Sequence, residues 1–295
     1  HEYTQDFGKS KKFFSDRICI LKNILKKNKL LSNNFKINIL KEEASNFNLN
    51  NKIKINKASI NSKDLKKNDI FFALKGKKSD GNNYIKEAII NGASIAVVNR
   101  IQKFKKSKQI KVFNTLNFLT KVACKVRNSS SAKIIAITGS CGKTSLKELV
   151  AGALGQISNI TYSIKSFNNK FGVPLSLFNL NRNDNFGIFE VGMDRKGEID
   201  TLTKIIRPDV GVITNISYAH FKNFKNLKQI AYAKSEIINN IAEDGWIVLN
   251  ADDKFFSFHK QIALKRKLKI CSFSINKTNV NVKLNYIRKN KLKFN

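Results

Sequence analysis

Seven consecutive residues, Gly139-Ser140-Cys141-Gly142-Lys143-Thr144-Ser145, combine two glycines, a lysine and three hydroxyls, groups suited to holding a chain of phosphates. A glycine turn lets backbone N–H groups close on phosphate oxygens, and a helix starting where the turn ends adds a favourable dipole. Lys143 neutralises charge, and the Thr144 hydroxyl can ligate Mg²⁺. The common form of this loop has a glycine five residues before Gly142, where Ile137 stands, so this is a shorter GxxGKT[ST] variant. A Gly-Lys-Thr turn alone can simply open a helix. Here an apolar strand precedes the loop and an amphipathic helix follows it, which makes Mg²⁺-ATP the expected ligand.

Further polar residues fall where a sheet would bring them to the same phosphates. Glu190 closes the apolar run FGIFEV, and His220 follows the run ending at Thr214, within NISYAH. A carboxylate beside such a loop can hold Mg²⁺ or its waters, and a neutral imidazole can ligate a metal. Each also has a plain reading, as a solvated strand end and as a hydrogen-bonded loop histidine. Lys234 shares a helical stripe with Ile230, Ile237, Ile238 and Ile241, so it points at the core. It either runs its stem outward to solvent or places an amine at the active edge of the sheet. Asn250-Ala251-Asp252-Asp253 follows another apolar run, where its polar groups could meet a nucleotide or form a turn.

These positions require a particular scaffold. Lys133–Thr138, Phe186–Val191, Val210–Thr214 and Trp246–Asn250 are apolar runs of strand length. Between them lie helical patterns, one with Leu146, Leu149, Val150, Ala153 and Leu154, another with Ile199, Leu202 and Ile206 before Pro208. Such alternation predicts an α/β fold with a mostly parallel sheet covered on both faces, its ligands gathered at the carboxyl ends of the strands. Upstream, Ile70–Leu74 and Ser94–Val98 read as buried strands, with a helix over Tyr84–Asn91 ended by Gly92. A helix over Thr115–Arg127 leads out of this smaller α/β unit. Ser129–Ser131 marks the boundary.

The 295 residues, 42% hydrophobic, suffice for about two domains, each with its own core. The formal charge of +34 raises nucleic acid or an acidic membrane surface as partners. Yet the lysines are scattered through every segment among many Asn, Ile and Phe, with only two prolines. A footprint needs clustered charge, so no specific nucleic-acid partner is expected, whereas an anionic substrate fits. Cys19, Cys124, Cys141 and Cys271 are far apart and form no CxxC pair, so neither a disulfide framework nor a zinc site is indicated, and a reducing cytoplasm is the simple inference. No apolar run approaches the ~20 residues of a membrane span, and no signal-peptide pattern opens the chain. It begins with His1 rather than Met, as expected of a piece of a longer protein.

Taken in order, TGSCGKTS at Thr138–Ser145, FNNKFGVPLSL at Phe167–Leu177 and EVGMDRKGEI at Glu190–Ile199 resemble motifs of the Mur ligase family. RPDVGVITNISYAH at Arg207–His220, AKSEI at Ala233–Ile237 and VLNADD at Val248–Asp253 continue the resemblance over almost the whole length. NSKDLKKNDIFFALKGKKSDG at Asn61–Gly81 is similar to the family's UDP-sugar-binding domain, with Asn61-Ser62-Lys63 where Asp-Ser-Arg or Asp-Thr-Arg is usual. The resemblance implies a UDP-muramyl-binding domain over residues 32–128 and a central ATP-binding domain over 132–295. The branch it resembles most activates the terminal carboxylate of UDP-N-acetylmuramoyl-tripeptide as an acyl phosphate, which the amine of D-alanyl-D-alanine then attacks.

Residue by residue, the resemblance implies a loop of Gly139, Ser140, Cys141, Gly142, Lys143, Thr144 and Ser145 on ATP, and Asn250 on its adenine. Thr144, Glu190 and His220 would hold Mg²⁺, with Lys234 carbamylated beside a second Mg²⁺. Ser62, Lys63, Lys75, Gly76 and Asp80 would serve the UDP-sugar, and Asn168 and Asn169 the muramyl peptide. A C-terminal Rossmann-like domain presents the amine in this family, and it is expected to lie outside these residues. Residues 1–31 resemble the tail of another branch, so a fusion of two ligases is expected. Rival readings are another Mur ligase, a folylpolyglutamate synthase, or a non-catalytic basic nucleotide-binding protein. FNNKFGVPL and AKSEI favour the branch that adds D-alanyl-D-alanine.

Overall fold

A computed structural model describes residues 35–44, 53–76, 79–218, 223–288 and 291–294. The tail resemblance over 1–31 and the position of His220 lie outside these residues.

The first unit has a helix α1 over residues 35–43, then strands β1 (Ala58–Ser59) and β2 (Asp69–Phe72), helix α2 (Ile85–Ile90), and strands β3 (Ala93–Val98) and β4 (Gln109–Lys111). The four strands form a parallel sheet in the order β1-β2-β3-β4. Apolar side chains occupy both faces, as a covered parallel sheet requires. Ile70, Phe72, Ile95 and Val97 enter one cluster, while Phe71, Ala73, Ala96 and Val98 enter a second with Ile85, Ala88 and Ile89 of α2. Gly92, at φ +119°, makes the turn out of α2 that a side chain would strain.

Helix α3 (Thr115–Asn128) leads out of that sheet, its N-terminus capped by the Asn114 side chain, which accepts from the Asn117 amide at 2.9 Å. The second unit runs β5 (Lys133–Thr138), α4 (Lys143–Gly155), β6 (Ile160–Tyr162), α5 (Gly172–Phe178), β7 (Phe186–Glu190), α6 (Glu198–Ile206) and β8 (Val210–Ile213). It continues with α7 (Leu227–Asn239), β9 (Trp246–Asn250), α8 (Phe256–Lys265), β10 (Lys269–Ser274), β11 (Val282–Arg288) and β12 (Lys291–Phe294). Its strands lie in the order β12-β11-β10-β9-β8-β5-β7-β6, parallel except for the last hairpin, β11 with β12. After β5 the chain travels to one side of that strand through β6 and β7, then crosses to the other through β8. The turn after β5 therefore sits at the switch point where open α/β sheets bind ligands.

Two expectations need correction. The two sheets do not have wholly separate cores: each keeps an apolar cluster of its own, and a third, larger cluster is shared across the junction. The largest apolar cluster runs without a break from Ile70, Phe72 and Ile95 through Phe118, Leu119 and Val122 of α3 to Val173, Phe178, Phe189 and Ile237. Phe72 and Phe178 meet edge to face across the junction, with ring centroids 5.6 Å apart. The apolar stripe of α4 is also rotated from its expected position. Leu146, Val150 and Leu154 pack, but Leu149 is 72% exposed and Ala153 is exposed too. The fully buried positions are Lys147 and Ala151, because the ammonium of Lys147 finds backbone carbonyls inside the fold.

Candidate nucleotide and metal site

Strand register brings the polar residues to one edge. Thr138 ends β5 opposite Ile213 of β8, and Ile137 lies opposite Glu190, the last residue of β7. The Gly139–Gly142 loop then turns into α4. Gly139 adopts φ +148°, and a Cβ built there would sit 1.8 Å from Thr214 Oγ1; Gly142 adopts φ +80° with open space above it. Both positions need glycine for backbone reasons, and Gly139 also for space. The open side of the turn faces outward over the first N–H groups of α4, which have no acceptor within the helix.

The loop is braced from β8 rather than left to itself. Asn215 accepts from the Ser140 amide through its carbonyl at 2.9 Å and from the Cys141 amide through Oδ1 at 3.1 Å. Thr214 Oγ1 donates to the Cys141 carbonyl at 2.6 Å. Ser140 Oγ donates to the Ser217 carbonyl and accepts from its amide, both at 2.9 Å. Asp253, just past β9, accepts from the Ile216 amide at 2.6 Å, tying this loop to the next strand. The anchors within NISYAH are Asn215, Ile216 and Ser217, whose signal in the sequence is their position directly after an apolar strand, at the carboxyl edge.

Glu190 is 1% exposed, and both its carboxylate oxygens are engaged. Oε2 accepts from Thr144 Oγ1 at 2.7 Å and Oε1 from Asn168 Nδ2 at 2.8 Å. Asn169 does different work: its Oδ1 accepts from the Phe171 and Gly172 amides, each at 3.0 Å, and shapes the entry into α5. Ser145 and Cys141 are exposed at the loop. Asn250 ends β9 with Oδ1 on the Asp252 amide at 2.9 Å and Nδ2 toward the Thr214 carbonyl at 3.4 Å.

Two lysines meet on one carbonyl oxygen. Lys143 Nζ donates to Gly139 O at 2.8 Å, and Lys234 Nζ donates to the same oxygen at 2.9 Å. Lys234, on α7 and 2% exposed, therefore runs inward to the loop and not outward to solvent. Burial, and then the ammonium of Lys143, lower its pKa from 10.5 to about 7. Its amine is thus available in neutral form near neutral pH.

The remaining expected site residues lie in the first unit, at a separate place. Ser62 is buried, with its hydroxyl on Glu87 at 2.6 Å, while Lys63 is exposed. Lys75 and Asp80 bridge in antiparallel fashion around Gly76, and Asp80 accepts from the Asn82 amide at 2.9 Å and from Arg100 at 3.2 Å. Hydrogen bonds from Asn82 hold the Asp80 carboxyl below the usual carboxylate range. It stays an anion beside Lys75 and Arg100.

The donor set suits a phosphate-bound Mg²⁺. Thr144 and Glu190 present a hydroxyl and a carboxylate side by side, and hard oxygen ligands of this kind, few in number, leave room for phosphate oxygens and water. Among the described residues no cluster of three His, Cys, Asp or Glu could hold a metal by itself.

The chain matches the family model described as Mur ligase middle domain over residues 137–295, and that of the Mur ligase family catalytic domain over residues 54–127. It is 38% identical over 223 residues, 75% of its length, to the UDP-N-acetylmuramoyl-tripeptide--D-alanyl-D-alanine ligase of Rickettsia prowazekii (strain Madrid E), of which it covers 49%. A crystal structure of MurF from Acinetobacter baumannii superposes with a TM-score of 0.72 at 28% identity, over 85% of this chain and 55% of that one. The MurF ligase of Thermotoga maritima in complex with ADP gives 0.64 at 29% identity, over 78% and 52%. The chain spans about half the length of the curated relatives it matches. With one family model covering more than half of the chain and a second covering most of the smaller sheet, the chain belongs to the Mur ligase family.

Proposed function

We propose that this chain supplies the substrate-carboxylate-activating half of a UDP-N-acetylmuramoyl-tripeptide–D-alanyl-D-alanine ligase, an ATP- and Mg²⁺-dependent enzyme of peptidoglycan precursor synthesis. The observation that carries the reading is the convergence of Lys143, Lys234, Thr144 and Glu190 on the glycine turn at the sheet's switch point. ATP, when bound, supplies the phosphoryl group that turns the tripeptide's terminal carboxylate into an acyl phosphate open to attack by D-alanyl-D-alanine.

The chain's own residues meet the electrostatic demand of that step. An anionic carboxylate must approach an anionic γ-phosphate, and without neutralisation the two repel. Lys143 would exchange the Gly139 carbonyl for phosphate, and Thr144 and Glu190 would hold Mg²⁺, a set to which the family resemblance adds His220. Asn168 keeps the Glu190 carboxylate turned toward Thr144. Asn250 meets the adenine. Ser62, Lys63, Lys75, Gly76 and Asp80 take the UDP-sugar at the smaller sheet, and Asn169 shapes the loop near the peptide. The segment that presents D-alanyl-D-alanine belongs to the half of the relatives' length not covered here. Cys124, Cys141 and Cys271 are free, in keeping with a reducing cytoplasm, and no helix among the described residues is long and apolar enough to cross a membrane.

Lys234 serves as a carbamate. Its neutral amine attacks CO₂, forming an N–C bond and releasing one proton, and the product is an anion that draws Mg²⁺ where an ammonium would repel it. Titration of the chain with Mg²⁺-ATP by calorimetry, followed by a ligation assay on a longer protein containing this sequence with UDP-N-acetylmuramoyl-tripeptide and D-alanyl-D-alanine, tests the proposal. Binding and phosphate release dependent on both substrates are expected; a bound nucleotide with no tripeptide-dependent phosphate release would sink the ligase assignment. A carbon-13 resonance from labelled bicarbonate, lost in Lys234→Met, is expected for the carbamate.

A further inference from the structure

Lys147 is a fully buried cation that the nucleotide site as described does not use. It lies on α4 one turn beyond Lys143, 0% exposed, with its Nζ donating to the Ser163 carbonyl at 2.7 Å and the Lys165 carbonyl at 2.5 Å. Glu148, half exposed, pairs with it at 2.9 Å, and the Tyr162 ring centroid is 5.9 Å away. Burying an ammonium is costly unless its donors are satisfied, so a lysine here implies that the contacts matter to the fold or to the site.

The segment that Lys147 grips runs directly into the metal ligands. Ser163, also 0% exposed, accepts the Glu190 amide on its Oγ at 3.1 Å. Lys165 is held at φ +51°, a left-handed conformation unfavourable for a side-chain-bearing residue. Ser166 Oγ lies 3.5 Å from Thr144 Oγ1, and its carbonyl accepts the Asn168 amide at 2.8 Å. Asn168 then closes on Glu190 Oε1 through its side chain and accepts the Gly192 amide on its carbonyl at 2.8 Å. Gly192 must be glycine for this approach, since a Cβ there would fall 2.7 Å from the Asn168 side chain.

We propose that Lys147 is a positioning residue for the metal: by clamping the Ser163 and Lys165 carbonyls it fixes the 163–168 loop, which orients Glu190 and Thr144 to receive phosphate-bound Mg²⁺. The proposal rests on the nucleotide reading of the site. It adds a residue one helical turn along α4 from Lys143. Lys143 and Lys147 thus divide the work, the first neutralising phosphate and the second holding the carboxylate that binds the metal.

The test uses the 295-residue chain, titrated calorimetrically with ATP in the presence and absence of Mg²⁺, and amide hydrogen exchange of residues 163–168 without ligand. Lys147→Met should remove most of the gain in ATP affinity that Mg²⁺ confers, about tenfold or more as for other residues that orient metal ligands, while affinity for metal-free ATP stays nearly unchanged. Exchange in the loop should quicken in the same variant. Lys147→Arg, which keeps charge and donors, should recover part of the gain, and Glu148→Gln, which removes only the half-exposed ion pair, should leave it intact. A folded Lys147→Met with an undiminished Mg²⁺ gain and unchanged loop exchange overturns the clamp. If Lys147→Met does not fold, Lys147→Gln, whose shorter side chain cannot span both carbonyls, carries the same test, and an unaltered Mg²⁺ dependence there overturns it equally. No ATP binding by the unsubstituted chain would instead remove the nucleotide reading itself, and with it the metal role.

Discussion

Lys234 and Lys143 show how strongly one residue's chemistry depends on another's. Both donate to the Gly139 carbonyl, and the pKa of Lys234 is lowered to about 7 by burial and then by Lys143. Between about pH 7 and the ordinary lysine value of 10.5, the unfolded chain holds a proton that the folded chain has released. Stability therefore rises with pH across that window and is weakened below it. Denaturant titrations from pH 6 to 10 in CO₂-free buffer should show this rise, and Lys234→Met should reduce it, leaving the part that starts near pH 8 from Lys36. Lys143→Ala should raise the pKa of Lys234 by removing its charged neighbour, and should abolish Mg²⁺-ATP binding while the chain stays folded. Unchanged ATP affinity in that variant would contradict the loop assignment.

The glycine turn separates two costs that are often merged. Gly139→Ala must force a methyl against Thr214 Oγ1 as well as strain the backbone, whereas Gly142→Ala meets open space and only strain. Left-handed strain costs about 1–2 kcal/mol for a residue with a Cβ, and overpacking adds roughly 1–3 kcal/mol. In denaturant unfolding Gly139→Ala should therefore lose clearly more stability than Gly142→Ala, and equal losses would show that Thr214 yields freely. The turn was legible because its glycines and lysine fall between an apolar run and a helix. The braces from Asn215, Thr214 and Asp253 were not, because hydrogen bonds across neighbouring strands leave no spacing in the sequence.

At the scale of the molecule, the continuous core makes the two sheets interdependent. Phe72 and Phe178 pack across their junction, and Asn179, just past α5, joins it by accepting the Ala58 amide at 2.7 Å and donating to its carbonyl at 3.3 Å. Lys36 adds a buried ammonium between the Asn56 and Asn179 carbonyls, at 3.2 and 3.4 Å, with its pKa lowered to about 8 by burial. Phe178→Ala should cost about 3–5 kcal/mol, and both sheets should still unfold in one transition. Two resolved calorimetric transitions would show that they are independent. The +34 charge is spread along the sequence, so any affinity for DNA should be insensitive to base sequence and should vanish steeply with salt. Sequence-selective binding at physiological salt would contradict that reading.

Local chemistry was enough to place the strand–turn–helix around Lys143, the strands Lys133–Thr138 and Trp246–Asn250, and the core-facing stripe of α7 that contains Lys234. Apolar periodicity and glycine punctuation act over a few residues, so a sequence displays them directly. Four outcomes needed the tertiary structure: that Lys234 turns inward to the Gly139 carbonyl, that Asn168 and not Asn169 holds Glu190, that Lys147 occupies the buried face of α4, and that the largest apolar cluster spans both sheets. Each depends on which carbonyl, carboxylate or ring lies across a gap from residues distant in the chain, and strand order and register, which no local pattern encodes, decide what stands there.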